Sequence, residues 1–324
     1  MSPASYIIRD YQASDLDRLL EREGTAGARD QTGCMISPSD LIESVSRGDY
    51  GFVNVIVAER AGEIIGYASV TPEVQLGRAV LRWRVHSDRR TWGIAGKLVD
   101  NAISHTLSLG IKTVHVNIWQ NSPTAKKLLR IRGFRCIRRY LELRLDLSKT
   151  PLTAMEKSRI RYRFLKPGEE EGLTHLQNRS FAGAWGYNPN TLDEMILRTR
   201  LPGFSRRDII IAFESDKKPI GYCWTKTYLS EDKGPNQRMG RIHMLGVDPD
   251  YRGRGIGRRL LVAGISALAR KDLRIIELTV DQENEAACAL YRSVGFRVWK
   301  SSLWYEMRFT NHQERFGIPQ SGHL

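Results

Sequence analysis

Apolar and polar positions along the chain form two successive series of short alternating runs and amphipathic segments. In the first series, Tyr6-Ile-Ile-Arg9 reads as an opening strand, and Asp15 to Glu23 as a helix with Ser14 as its N-cap. Gly24 to Ser39, rich in Gly, Ser and Thr, reads as a loop. Phe52 to Glu59 and Glu63 to Thr71 alternate as a hairpin around Ala61-Gly62, and Val80 to Val85 is a fourth strand. A helix over Ile94 to Leu109, a strand over Thr113 to Ile118, a helix over Ser122 to Ile131 and closing strands over Cys136 to Leu147 complete the series.

The second series repeats the order. It comprises a strand over Ile160 to Phe164, a helix over Glu169 to Ser180, a loop over Phe181 to Asn190 and a helix over Thr191 to Arg198. A hairpin over Asp208 to Glu214 and Ile220 to Thr227 turns at Lys217-Lys-Pro219. Strand Ile242 to Val247, helix Arg258 to Arg270, strand Ile275 to Val280, helix Glu285 to Ser293 and closing strands near Arg297 and over Leu303 to Phe309 follow. The copies share landmarks. Arg90-Thr-Trp-Gly93-Ile-Ala95 lies 162 positions before Arg252-Gly-Arg-Gly255-Ile-Gly257, and Gly133-Phe134 lies the same distance before Gly295-Phe296. This is an internal duplication. The expected organisation is a domain over 1–148, a linker over 149–158 around Pro151, a second domain over 159–310 and a loosely held tail over 311–324.

The strongest chemical signal is the join between strand Ile242 to Val247 and the helix after it. Gly253, Gly255 and Gly257 between a strand and a helix leave backbone N–H groups free at a positive helix end, an arrangement suited to a pyrophosphate. A dinucleotide fingerprint is excluded, because the glycines lack G-x-G-x-x-G spacing, and a P-loop because Gly-Lys-Ser/Thr is absent.

Arg252-x-x-Gly255-x-Gly257 after Gly-Val-Asp-Pro, with Asn284-x-x-Ala287-x-x-Leu290-Tyr291-x-x-x-Gly295-Phe296 downstream, resembles the signature of the GNAT N-acetyltransferases. The tandem plan, with chemistry in the second copy, is similar to that of the mycothiol synthases in that family. The resemblance implies an α/β fold of two tandem GNAT-like domains, each a mixed, mostly antiparallel sheet flanked by helices, with the fourth and fifth strands splayed apart. It implies acetyl-CoA as co-substrate, no metal, and transfer of an acetyl group to a primary amine of a small molecule or peptide.

By the same resemblance the backbone of Leu245, Gly246 and Val247 holds the pantetheine arm, while Arg252, Gly253, Arg254, Gly255, Ile256, Gly257 and Arg258 hold the pyrophosphate. Asn284 either contacts the arm or caps its helix. Tyr291 matches the tyrosine that returns a proton to the CoA thiolate. The base position that is glutamate in many relatives is Arg241, which cannot take a proton near neutral pH. His243, two residues along, is the expected base, a placement similar to that in serotonin N-acetyltransferases, with Glu277 and Asp281 in reserve through water. In the first copy Val85, Arg90, Gly93 and Ala95 match cofactor positions, but Ala79, Leu81 and Leu129 stand where Arg241, His243 and Tyr291 do. That copy is expected to be catalytically degenerate. Phe181, Trp185 and Tyr187 are expected to line the acceptor pocket, or to plug the core.

Length and composition narrow the alternatives. A chain of 324 residues can bury two cores. With 41% hydrophobic and 27% charged residues, no long apolar run and no leader, it is expected to be a soluble cytoplasmic protein without a membrane span, as a monomer or homodimer. Cys34, Cys136, Cys223 and Cys288 are scattered, which suits small buried hydrophobes rather than disulfides or a zinc site. A net charge of +14 attracts polyanions, and CoA qualifies. Basic stretches such as Arg130 to Arg139 carry no nucleic-acid motif, so a nucleic-acid partner is not expected. A non-catalytic acyl-CoA sensor and an aminoacyl-tRNA-dependent transferase are the alternative functions.

Overall fold

The structure, a computed structural model, describes residues 6–19, 54–85, 92–149, 160–200, 204–215, 218–229 and 238–309. Two compact units result, one from residues up to Arg139 together with those from Ser301, the other from Tyr140–Lys300.

The first unit contains β1 (Ile7–Asp10), β2 (Asn54–Arg60), β3 (Glu63–Glu73), β4 (Arg78–Val85), α1 (Trp92–Ser108), β5 (Thr113–Trp119) and α2 (Pro123–Ile131). The strand β6 (Arg135–Asp146) begins here and passes into the second unit. There it is followed by β7 (Arg161–Phe164), α3 (Glu170–Phe181), α4 (Leu192–Arg198), β8 (Ile209–Ser215), β9 (Lys218–Leu229), β10 (Arg238–Val247), α5 (Ile256–Ala269), β11 (Ile275–Asp281) and α6 (Glu285–Ser293). The last strand, β12 (Arg297–Arg308), belongs mainly to the first unit. Strand order is β1-β2-β3-β4-β5-β12 in the first unit and β6-β11-β10-β9-β8-β7 in the second. Neighbours within each sheet are antiparallel except β4 with β5 and β10 with β11.

Each copy was expected to close its own sheet with its own final strands. Instead β12 pairs with β5, Glu306 opposite His115, while β6 pairs with β11, Arg144 opposite Glu277. Alternation identifies a strand but not its partner, so this exchange is invisible to periodicity. Each closing segment is also one long strand rather than several. Three smaller corrections concern turns. Ala13–Asp15 form a 3-10 turn that leads into the first helix at Leu16, with Gln12 rather than Ser14 in the N-cap position. The buried Asp15 accepts the Gln12 N–H at 2.9 Å and is held by Arg9. Lys218 and Pro219 lie within β9 rather than in its turn. Gly24 to Ser39, Arg90, nearly all of the linker and the tail fall outside the described residues.

Each sheet is covered by helices because its strands alternate. In the first unit Ile94, Leu98 and Ala102 of α1 pack on Leu81, Trp83 and Val114. In the second, one face buries Ile256, Leu260, Leu261, Ile265 and Leu268 of α5 against Cys223, Ile242 and Leu278. Each of those large α5 side chains is at most 2% exposed, a burial that contributes roughly 1.5–3 kcal/mol apiece. The opposite face packs Leu173 and Leu176 of α3 and Met195 of α4 on Ile209, Ile211, Tyr222 and Trp224. No helix among the described residues is long and apolar enough to cross a membrane.

Candidate functional site

β10 and β11 pair only at Gly240 with Ile276 and Arg241 with Glu277. Beyond that point β10 runs on to Val247 beside β9 alone, while β11 follows β6. The strands therefore part, and the β10 edge from Ile242 onward faces a gap. Such an edge can take an extended arm as an additional strand. Ile242 opposes Thr225 and Met244 opposes Trp224, so His243 is the extra residue of a β-bulge. β4 and β5 part in the same way after Val80 and His115.

The loop leaving β10 is built to open the α5 N-terminus. Asp248 accepts the Asp250 N–H at 3.0 Å and bonds through both oxygens with Arg179 at 2.8 and 3.0 Å. Those bonds hold the Asp248 carboxyl below its usual pKa, the Arg179 hydrogen bond contributing most. Gly253 and Gly255 adopt φ of +76° and +73°, where a side chain is disfavoured. Gly255 is the N-cap of α5 and supplies no capping side chain, which leaves the first-turn amides to a ligand or to water. Ile256 is buried in the core and anchors that turn, with Gly257 beside it. The arginines are already engaged. Arg252 donates to Val247 O at 3.3 Å and to Ser180 O at 2.7 Å, Arg254 to Asp250 O at 3.3 Å, and Arg258 to Ser293 Oγ at 3.1 Å.

At the bulge, the His243 ring stands edge-on to Trp224 at 5.4 Å. Solvent reaches the imidazole, yet protein packs around it. That desolvation, followed by the charges of Lys226, Arg241 and Arg198, holds its pKa well below the ordinary histidine value. The ring is therefore neutral at pH 7, and weakly basic. Arg241 bonds with Thr279 and lies 3.6 Å from Glu142, a buried carboxyl whose pKa burial raises. Glu277, a reserve base, is buried and engaged by Arg144 and the Tyr228 hydroxyl. Asp281 accepts the Glu283 N–H at 3.0 Å.

Tyr291 lies in the core at 8% exposure, edge-to-face with Phe296 at 6.1 Å. Burial first, then Cys223 and Cys288, raise its pKa, so the phenol keeps its proton. Asn284 caps α6 by accepting the Ala287 N–H at 3.1 Å. Leu245 and Val247 are half-buried on β10, and Gly246 between them is buried against Tyr222 and Ser180.

The aromatic loop is ordered by its own contacts. Phe181 stacks on Tyr187 at 5.2 Å, the Tyr187 hydroxyl donates to Asn178 Oδ1 at 2.8 Å, and Trp185 meets Tyr140 of β6 edge-on at 6.0 Å. Tyr187 is thus engaged in a bracing network, while Phe181 and Trp185 remain half-buried. In the first unit Val85 and Ala95 are buried, Gly93 is exposed near the start of α1, and Ala79, Leu81 and Leu129 are core residues.

Two sets of residues escaped the sequence reading. Glu142 and Arg144 reach this site on β6, from the end of the other copy, and no local pattern announces that. The buried polar atoms Gln177 Oε1, Ser180 Oγ, Tyr222 O–H and Trp224 Nε1 have no hydrogen-bond partner. Native interiors leave few such groups, so their clustering on α3 and β9 marks a place for polar ligand atoms or water.

The family model described as the acetyltransferase (GNAT) family matches residues 19–134 and again residues 171–296. A mycothiol acetyltransferase of Thermobispora bispora is 32% identical over 75% of this chain and 80% of its own length. One from Amycolatopsis mediterranei is 27% identical over 91% and 95%. Among solved structures, a GCN5-related N-acetyltransferase from Sphaerobacter thermophilus superposes with a TM-score of 0.65 at 23% identity, covering 94% of this chain and 96% of its own. A tandem GNAT protein from the clavulanic acid biosynthesis pathway gives a TM-score of 0.66 at 16% identity, covering 94% and 98%. At those identities the structures support the fold.

Proposed function

This chain belongs to the GNAT acetyltransferase family, and from that premise we propose that its second unit moves an acetyl group from acetyl-CoA to a primary amine of a small molecule or peptide. One observation carries the reading: the free β10 edge, the bulge at His243 and the open first turn of α5 follow one another in a single stretch of chain. The family uses acetyl-CoA as co-substrate, and these features fit its parts. The β10 edge suits the amide-rich arm, and the α5 amides suit the pyrophosphate.

The chain's own groups then divide the work. Amides at the bulge stabilise the oxyanion that forms as the amine nitrogen attacks the thioester carbon. His243, neutral at pH 7, accepts the proton that the amine nitrogen loses, directly or through water. The C–S bond breaks as the N–C bond is completed, and Tyr291 gives its proton to the departing thiolate. Burial keeps the phenol protonated until that transfer, and the tyrosinate regains a proton afterwards. The first unit, with apolar residues at the corresponding positions, serves as scaffold or as a regulatory domain.

The test is release of free CoA, with mass detection of the acetylated product, across a panel of primary amines. A mycothiol-type amine belongs in that panel, given the names of the relatives. Tyr291→Phe is expected to lower kcat by about 10²-fold or more while acetyl-CoA affinity holds. Undiminished turnover with an unchanged pH profile would remove Tyr291 from the mechanism.

A further inference from the structure

The last paired residues of the parting strands are Arg241 on β10 and Glu277 on β11. Two residues beyond them stand His243 and Thr279, on opposite sides of the gap, and both are exposed. Directly opposite Thr279 on β6, and only 3% exposed, is Glu142. The Thr279 hydroxyl donates to Glu142 Oε1 at 2.7 Å, and Arg241 donates to the same hydroxyl oxygen. A guanidinium can only donate, so it takes one oxygen lone pair and leaves the hydroxyl hydrogen directed at Glu142. An exposed hydroxyl beside the gap is thus bonded to a buried carboxyl.

Glu277 differs in this respect. Its hydroxyl partner, Tyr228, stands opposite Met239, before the strands part, and Arg144 engages its carboxyl directly. Arg241 lies 3.6 Å from the second oxygen of Glu142. The charged groups around Glu142 are Arg241 on β10, Glu277 on β11 and Lys300 on β12. Burial, the largest effect, raises the Glu142 pKa, and Glu277 adds to it. Arg241, the Thr279 bond and Lys300 pull the other way without reversing the shift. A carboxyl raised toward neutral pH is a better proton acceptor there than an ordinary one.

We propose that Thr279 and Glu142 form a proton relay that discharges the acceptor ammonium before it attacks. This rests on the reading that acetyl transfer occurs at the bulge. The Thr279 oxygen takes a proton from the ammonium through its remaining lone pair, while its own hydrogen passes to Glu142 Oε1. An N–H bond breaks, an O–H bond forms on Glu142, and the amine keeps the electron pair it needs as a nucleophile. Arg241 assists, because a neighbouring cation disfavours an ammonium. Glu142 returns its proton to water after product leaves. His243 deals with the second proton, lost as the N–C bond forms, so the two groups act at different steps.

The test begins without acetyl-CoA, by carbon NMR of the full chain labelled at its glutamate carboxyls. The Glu142 signal is assigned by its loss in Glu142→Gln. It is expected to titrate above the usual carboxyl range, and higher still in Thr279→Val, which removes a hydrogen bond to the charged form. Thr279 is exposed, so that variant leaves the core intact. Turnover is then read near neutral pH with the most active primary alkylamine of the panel, an ammonium under those conditions, and with trifluoroethylamine, which is largely neutral there. Glu142→Gln and Thr279→Val are expected to lower kcat/KM for the alkylamine by about 10²-fold and far less for the fluorinated amine. Thr279→Ser, which keeps the hydroxyl, is expected to recover most of the rate. An equal loss with both amines, or a Glu142 titration unmoved by Thr279→Val, would overturn the relay while acetyl transfer stands. Absence of wild-type transfer to every amine would instead overturn the reading beneath it, and the relay with it.

Discussion

Gly246 and Gly257 flank the candidate cofactor loop, and the structure gives alanine opposite effects at the two positions. A Cβ at Gly246 would lie 2.6 Å from Tyr222 Cε1 and 2.9 Å from Ser180 Cβ, both on buried side chains. Neither can move away freely, because Tyr222 is enclosed by the α3 packing and Ser180 sits in the last turn of α3. Overpacking of this kind costs about 1–3 kcal/mol. For a unit of this size each kcal/mol moves Tm by about 2–4 °C, so Gly246→Ala is expected to lower Tm by about 4–8 °C at a mid-range cost of about 2 kcal/mol. The strain falls one strand-step from the edge expected to hold the acyl arm, so KM for acetyl-CoA should rise as well. At Gly257 a Cβ would make ordinary contacts, 3.6 Å to Leu290 and 3.7 Å to Val247. There, in the first turn of α5, alanine should stabilise by up to about 0.5–1 kcal/mol through helix propensity. Urea unfolding of the two variants beside wild type reads both effects. Equal midpoints for wild type and Gly246→Ala would refute the packing argument.

Three further outcomes follow from the same geometry. Arg144→Ala strips the buried Glu277 of its guanidinium and uncovers the Trp299 ring that Arg144 lies over at 3.4 Å, so a loss of about 3 kcal/mol is expected by chemical denaturation. His115, buried on β5, has a folded-state pKa below the usual histidine value, burial being the main cause. The unfolded chain therefore binds more protons once pH falls below about 6.5, and stability should decline from there toward the lower folded pKa, read as Tm against pH. Asp248 has the opposite chemistry: its lowered pKa contributes stability above the usual carboxyl range, lost as pH falls through the folded value. Asp248→Asn should flatten that acid limb and loosen the turn into α5, which limited proteolysis would detect.

Much of this arrangement was legible in the chain because its signals are local. The strand-turn-helix around Gly253 and Gly255 reads from three glycines and a change of period, and the 162-residue offset exposes the duplication. The partners of β6 and β12 were not legible. Leu141, Leu143 and Leu145 alternate identically whichever sheet receives them, and only three-dimensional pairing puts Glu142 beside Arg241. Nor does a sequence show a bulge: His243 reads as an ordinary strand residue until Ile242 and Met244 are seen opposite adjacent residues of β9. The arginines of the glycine loop illustrate a different limit. Charge at Arg252, Arg254 and Arg258 suggests phosphate contact, but bonds to Val247, Ser180, Asp250 and Ser293 already occupy them.

The central claim is that the second unit holds acetyl-CoA through the open first turn of α5. Calorimetric titration of acetyl-CoA into wild type, Gly255→Glu and Gly93→Glu tests it most directly. A glutamate at Gly255 places a side chain where φ is +73° and negative charge beside the amides meant for a pyrophosphate. The account predicts that Gly255→Glu removes a binding site that Gly93→Glu leaves in place, with thermal unfolding confirming that both variants remain folded. Undiminished acetyl-CoA binding to folded Gly255→Glu would contradict it.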